Sequence, residues 1–428
     1  MLRGWLRAGS RWLLLAALVG AVAGCSARHD DPNVVRFWAM GREGEVVAAL
    51  VPEFERTHPG IRVDVQQLPW SAAHEKLLTA FAGGSTPDLC QLGNTWVPEF
   101  VALHALEPLD ASVAASSTIQ PADYFGGIWQ TNRVDGALFG VPWYVDTRLL
   151  FYRSDLLAEA GYTTPPRSWT EWTAMLDAIK QRLPGRYGIV LPVNEFEPLV
   201  ALALQQDDPL LRDGGRFGNF RSGGFARALR FYAGMFAAGY APATRDADVS
   251  NIWNEFGRGH FVFYVSGPWN IGELSRRLPK DLEDSWATAP LPGPSGPGAS
   301  IAGGSSLVVF HASRAKRAAW QLLEYLSQPD VQRRFHALTG DLPPRRSAWR
   351  DAPLADDVHA RAFREQLERV EATPRVPEWE RIANEIRLVA ERVVHGELTI
   401  EQAQQALDAR TDRILEKRRA VLARASAP

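Results

Sequence analysis

Between Val34 and Gly93 the chain alternates strand-like and helix-like runs, and this alternation restricts the fold more than any other feature. "VVRFWAM" (Val34–Met40) reads as a buried strand. In "EGEVVAALVPEFERTHPG", Val46, Val47, Leu50, Val51 and Phe54 recur at helical spacing. Pro52 interrupts that pattern and predicts either a kink or an early turn, and His58-Pro59-Gly60 ends it. "IRVDVQQL" alternates Ile61, Val63 and Val65 as a half-buried strand, "HEKLLTAFAGG" is a second helix, and "PDLCQL" is a short strand entering "GNTW". Strands separated by helices at this spacing pair in parallel, because a parallel return needs a crossover.

The same grammar continues. "GALFGVPWYVDTRLLFYRSDLLAEAGY" predicts strands over "ALFGVPWYV" and "RLLFYR", then a helix capped by Ser154. "SWTEWTAMLDAIKQRL" begins with Ser168 and has Glu171 three residues on, a capping box. "YGIVLP" and "FVFYV" are strands flanking an apolar-periodic helix over 223–239. "LPGPSGPGASIAGGSS" (291–306) is the clearest break in composition and reads as a linker. After it come the strand "LVVF", the helix "KRAAWQLLEYLSQ", and two long helical stretches, about 378–395 and 399–424, joined by Gly396. At 428 residues the chain is long enough for two cores, so the expected architecture is two α/β lobes with a linker near residue 295.

The N-terminus predicts an address. Arg3, Arg7 and Arg11 precede the apolar run "WLLLAALVGAVA", which is too short to span a bilayer comfortably. "AVAGCS" resembles the bacterial lipoprotein signal, which implies cleavage before a lipidated Cys25, with residues 1–24 as signal peptide and 25–33 as a tether. Removing residues 1–24 takes three arginines and no acid, leaving 44 cations against 49 acids, a net charge of −5. Such a balance gives no electrostatic case for nucleic acid. Cys90 is then left without a partner and reads as a buried, inert thiol.

Several chemistries have no footprint. The sequence contains no GxxxxGK[ST], GxSxG, HExxH or CxxC, and its nine histidines show no ligand spacing. The expectation is therefore no metal and no cofactor. Paired carboxylates are not excluded by spacing alone, so glycoside hydrolysis stays open.

In open α/β sheets ligands bind beyond the carboxyl ends of the strands. Several strands here end in an aromatic beside a charged or amide residue: Arg42 and Glu43 after the first, Asn94 and Trp96 after "LCQLG", Tyr144 and Asp146 in "VPWYVD", Trp269 and Asn270 after "FVFYVSGP". Tyr144 and Asp146 share a face because side chains repeat every two residues. Aromatic faces with carboxylates and amides beside them suit a sugar, whose C–H face packs on a ring and whose hydroxyls pair with planar polar groups. Each residue also has a structural reading: Trp269 as a cap on the core, Asp146 and Asn94 as turn residues, Arg42 and Glu43 as a solvated pair, Gly303-Gly304-Ser305 as a hinge.

The order of these pieces resembles the bacterial extracellular solute-binding proteins for sugars, which serve ATP-binding-cassette importers and include the maltose- and trehalose/maltose-binding proteins. The words that carry the resemblance are "GREGE", "FERTHPGIRVDV", "LLTAFAGGSTPDL", "GVPWYVDTRLLFYRSDLLAEAG", "PPRSWTEW", "FGRGHFVFYVSGPWNIG" and "GDLPPRRS", and they run from about Val34 to Leu415. The resemblance implies two discontinuous lobes, 34–146 with 299–345 and 147–298 with 346–428, closing on a ligand at a hinge. It implies a monomer on the periplasmic or cell-surface side, held to the membrane by lipid alone, partnered by permease subunits and not an enzyme. It also implies ligand contacts by Arg42, Glu43, Asn94, Trp96, Tyr144, Asp146, Trp269, Gly303, Gly304, Ser305 and Arg345. Trp379 and "NEF" (194–196) align only loosely with further contact segments. An α-linked disaccharide is the expected ligand. A glycerol 3-phosphate binder of the same fold and a surface hydrolase using Glu43 and Asp146 are the alternatives.

Overall fold

A computed structural model describes residues 31–243 and 251–425. The expected signal peptide, Cys25 and most of the tether lie outside the described residues. The first strand β1 (Val34–Met40) runs into helix α1 (Gly41–Val47), which stops before a second helix α2 (Val51–Thr57). Pro52 sits in the first turn of α2, where a missing N–H costs nothing, so it marks an early turn and not a kink. Strand β2 (Arg62–Leu68), helix α3 (Trp70–Ala82) and strand β3 (Leu89–Gly93) follow. Both β2 and β3 pair parallel with β1.

Strand β4 (Val141–Asp146) and strand β5 (Leu149–Arg153) then belong to different sheets. The predicted run "ALFGVPWYV" is broken before Val141, with Ala137–Leu138 forming a separate short hairpin strand. Ser154 is the first residue of helix α4 (Ser154–Glu159) and makes no cap: Arg153 holds the cap position, and the Ser154 hydroxyl donates to Asp284 O. Ser168 does cap helix α5 (Trp169–Arg182), accepting from Glu171 N, but the Glu171 carboxylate reaches past it to Arg167 N, so the box is only half as expected. Strand β6 (Tyr187–Val190), helix α6 (Glu197–Leu204), helix α7 (Gly223–Ala237), strand β7 (Phe261–Ser266), helix α8 (Trp269–Arg277) and strand β8 (Trp286–Ala289) complete the second sheet and its cover.

The chain then returns to the first sheet as β9 (Gly303–Val309), antiparallel to both β3 and β4. Gly303-Gly304-Ser305 are therefore strand residues and not a hinge loop, and the irregular linker ends before residue 300. The reason is steric. Gly304 has φ +125°, and a Cβ there would lie 2.3 Å from Tyr144 O, so only glycine lets β9 run this close to β4. Helix α9 (Lys316–Leu326), helix α10 (Pro329–Thr339), helix α11 (Trp379–Val394), helix α12 (Ile400–Ile414) and helix α13 (Glu416–Ala425) follow. The single C-terminal stretch expected from 399 onward is two helices, divided at Leu415.

The first sheet has the order β2-β1-β3-β9-β4 and the second β8-β5-β7-β6. This is a two-lobed α/β fold with mixed sheets. In the first core Trp143 is fully buried and stacks on Phe335 of α10 with centroids 4.3 Å apart. Truncating such a ring to alanine costs roughly 3–5 kcal/mol. Edge strand β2 exposes Arg62, Asp64 and Gln66 on alternate positions, and these polar residues discourage edge pairing. Cys90 is buried in β3, and burial pushes its thiol far up, so it is inert.

Candidate functional site

The topology aims strand ends at one place. Strands β1, β2, β3 and β4 all run the same way, so the segments after them, together with the start of β9, gather at one edge of the first sheet. The carboxyl ends of β6 and β7 and the start of β5 face that edge from the second sheet. Between them lies a cleft of about 430 Å³, inside the roughly 300–1,000 Å³ range of small-ligand sites. Of the residues predicted from the sequence, Glu43, Asn94, Trp96, Tyr144, Asp146, Trp269, Gly303, Gly304 and Ser305 line it.

Two predicted residues do not. Arg42 is exposed, its guanidinium bonded to Glu45 and to Leu338 O at 3.4 and 3.5 Å. Neighbouring helix positions diverge by about 100°, so α1 can turn Glu43 inward only by turning Arg42 out. Arg345 is buried outside the cleft, where its Nε donates to Asp123 at 2.7 Å and its Nη1 to Ser327 O at 2.6 Å. It ties the 341–349 segment to the first lobe. Asn270 is likewise structural, its amide donating to Ser266 Oγ and accepting from Trp253 Nε1. Trp379 is fully buried, edge-on to Phe196 with centroids 6.4 Å apart, and its neighbour Glu380 reaches the cleft instead.

Gln91 fixes the inner wall. Its Oε1 accepts from Met40 N at 2.7 Å and its Nε2 donates to the Tyr144 hydroxyl at 3.2 Å, joining the ends of β1 and β4. Ser305 Oγ also donates to that hydroxyl, at 3.0 Å. A hydroxyl that accepts twice has its own proton left for an acceptor. Burial pushes the Tyr144 hydroxyl well above its usual range, with the charges of Glu43 and Asp341 adding to it, so it stays protonated. Asn94 lends the wall backbone and amide bonds, its Nδ2 donating to Ala302 O at 2.7 Å.

The opposite wall is built around Arg148, the second residue of the two-residue passage from β4 to β5. Its Nη1 donates to Asp146 at 2.5 Å and its Nη2 to Glu197 at 3.0 Å, with Glu195 at 3.9 Å. Its guanidinium lies over the Trp269 ring, 4.8 Å from the centroid. Trp269 is the first residue of α8 and is 37% exposed, so it faces the cleft and does not cap the core. A Cβ at Gly267 would lie 2.0 Å from the Trp269 ring, and glycine there lets the indole fold back over the strand end. Burial pushes Asp146 up, and Arg148 opposes the shift.

Trp70, Thr95, Arg148, Glu197, Ile301, Asp341 and Glu380 line the cleft without having been predicted, and Phe196 of the loosely aligned "NEF" segment lines it too. Trp70 follows β2 and obeys the strand-end rule; it meets Trp96 edge-on at 5.8 Å. Five carboxyl groups (Glu43, Asp146, Glu197, Asp341, Glu380) thus face one guanidinium and a set of rings. Burial raises Glu43, Asp341 and Glu380 above the usual carboxylate range. Such a site offers many acceptors, a few donors and flat apolar faces. No group of three or more His, Cys, Asp or Glu among the described residues is arranged to hold a metal ion.

A family model described as bacterial extracellular solute-binding protein matches residues 49–362. The sugar-binding protein MalE from the phytopathogen Xanthomonas citri is similar at 59% identity and TM-score 0.89, covering 91% of this chain and 99% of that one. The GacH receptor of Streptomyces glaucescens GLA.O, solved unliganded and with acarbose, is similar at 25% identity and TM-score 0.77, covering 90% and 98%. The galactooligosaccharide-binding protein of Bacillus subtilis (strain 168) is 24% identical, covering 92% of this chain and 94% of that protein.

Proposed function

The chain belongs to the bacterial extracellular solute-binding proteins, and from that premise we propose that it captures a sugar, an α-linked disaccharide such as maltose or trehalose, for an ATP-binding-cassette importer. The observation that carries this reading is the cleft itself: exposed indole faces on Trp269 and Trp70 beside carboxyl and hydroxyl acceptors. An indole packs on the C–H face of a pyranose while hydroxyls donate to the carboxylates around it. Ligand contacts fall to Glu43, Asn94, Trp96, Tyr144, Asp146, Trp269 and the Gly303–Ser305 strand edge, with Arg148 and Glu380 added.

Members of this family bind and deliver solutes and do not transform them, which sets aside the hydrolase reading. A phosphorylated ligand fits poorly too. It would meet five carboxyl groups, and the guanidinium of Arg148 is already shared by Asp146 and Glu197.

In this reading the lobes comprise 34–146 with 299–345 and 147–298 with 346–428, and ligand binding favours their closed arrangement. The monomer presents that arrangement to the permease from a lipid anchor at Cys25. The test is calorimetric titration of protein starting after Cys25 with maltose, trehalose, sucrose, glucose and glycerol 3-phosphate, with product analysis afterwards. One-to-one binding of an unaltered disaccharide is expected. Binding of glycerol 3-phosphate alone, or recovery of cleaved sugar, overturns it. Metabolic labelling with a fatty acid, lost on Cys25→Ser, tests the anchor.

A further inference from the structure

Glu43 and Asp341 meet inside the cleft wall. Glu43 comes from the first turn of α1 and Asp341 from the segment after α10, and each residue is only 8% exposed. Their carboxyl groups lie within hydrogen-bonding reach of each other. Glu43 Oε2 and Asp341 Oδ2 are sealed from solvent, yet neither finds a donor in the protein. Among the described residues no lysine or arginine pairs with either group: Arg42 is turned out to Glu45, and Arg148 is held by Asp146 and Glu197.

The remaining polar surroundings are the Trp70 indole and Gln91 amide on the Glu43 side, Thr339 on the Asp341 side, and Tyr144 and Asp146 facing both. His336 meets Asp341 at its backbone carbonyl, 3.0 Å away, and burial lowers its ring below the usual imidazole range. Two carboxylates in contact, desolvated and without a counter-charge, cannot both ionise. An orphaned oxygen on each is what two proton-free carboxylates would leave, and one proton between them satisfies both.

We infer that Glu43 and Asp341 share a single proton and so form a combined donor and acceptor in the wall of the sugar cleft, matched to two adjacent hydroxyls of a neutral ligand. One ligand hydroxyl donates to the carboxylate, and the carboxylic O–H donates to the next. The inference rests on the sugar-binding reading for its ligand, but the shared proton is a property of the empty protein. Burial, and for Asp341 the neighbouring Glu43 charge, raise both groups, in agreement with the geometry.

The experiment separates the two. Thermal unfolding of the ligand-free protein is followed from pH 4.5 to 8 for the parent, Asp341→Asn and Glu43→Gln. The folded pair keeps a proton that the unfolded chain releases above about pH 4, so parental stability falls as pH rises. Either amide removes that slope. The variants should gain about 2–4 °C on the parent between pH 4.5 and pH 8. Infrared difference spectra at pH 7.5 should show a protonated-carboxyl band in the parent that each variant lacks. Parallel unfolding curves, or no such band, overturn the shared proton. Titration with maltose then tests the ligand role: the double variant, left without a carboxylate acceptor, should bind at least tenfold more weakly than either single variant. Single variants as weak as the double overturn the donor–acceptor pairing. A parent that binds none of the sugar panel fells the ligand reading, while the unfolding curves still decide the dyad.

Discussion

The Arg148 guanidinium lies over the Trp269 indole, 4.8 Å from its centroid, while its nitrogens hold Asp146 and Glu197. The ring that offers a stacking face to a ligand is thus braced by the residue that orders the acceptors beside it. Stacking surface and hydrogen-bonding wall are one assembly.

Trp269→Ala should therefore weaken sugar binding tenfold or more, about 1.4 kcal/mol, by removing the platform. Asp146→Ala should do the same by removing an acceptor and freeing Arg148 to swing. Calorimetry against the best sugar of the panel checks both. If both variants bind as the parent does, the site lies elsewhere.

Arg148→Met leaves Asp146, whose side chain is 30% exposed, without its counter-charge. Breaking one side of a fully buried ion pair costs roughly 3–5 kcal/mol, and solvent access to Asp146 should hold this loss below that range. Denaturant unfolding at pH 7 measures it. The pH sign is fixed. Burial raises Asp146, and the variant removes the group that opposes the shift. Folded Asp146 then keeps a proton that the unfolded chain gives up. The deficit should widen as pH rises from 5 to 8 and narrow on acidification.

Gly304→Ala places a Cβ 2.3 Å from Tyr144 O on a backbone with φ +125°. We expect a loss of about 2 kcal/mol or more in stability, since the strain and the clash both fall on strand β9. Denaturant unfolding gives the stability. Sugar titration should show weakened binding too, because the displaced β9 carries Ser305, whose hydroxyl positions Tyr144.

Arg42→Ala and Arg345→Ala separate alignment from geometry. Arg42 is exposed beside Glu45, so its loss should leave both affinity and melting temperature nearly unchanged. Arg345 is buried against Asp123, so its loss should cost a few kcal/mol, as for a broken buried pair, and clearly lower the melting temperature. Sugar affinity measured at a temperature where the Arg345 variant is folded should match the parent.

Which of these features could be read from the chain follows from how each side chain reaches the cleft. Trp269, Tyr144 and Asp146 sit at strand ends, where a period-two pattern and a change of composition mark the exit, and the cleft lies just beyond. Glu43 follows the same rule and lines the cleft, whereas Arg42 beside it turns to solvent, because adjacency in sequence says nothing about the turn of α1. Asp341 and Glu380 escaped because they arrive from segments some 195 and 230 positions after β4, brought close only by packing. Arg148 escaped for a different reason: it reads as the first residue of the strand "RLLFYR", and nothing local reveals that this strand and the one before it enter separate sheets. Gly303 to Ser305 were legible as glycine-rich but not as strand, because a run chosen for close approach of two backbones has the composition of a linker.

Only Thr147 and Arg148 lie between β4 in one sheet and β5 in the other. Any rotation of one sheet against the other must twist the backbone there. Arg148 is also a wall of the cleft, so an occupant that settles against it would bear on one of the backbone passages that join the two sheets. At Arg148 the gauge is mounted on an axle.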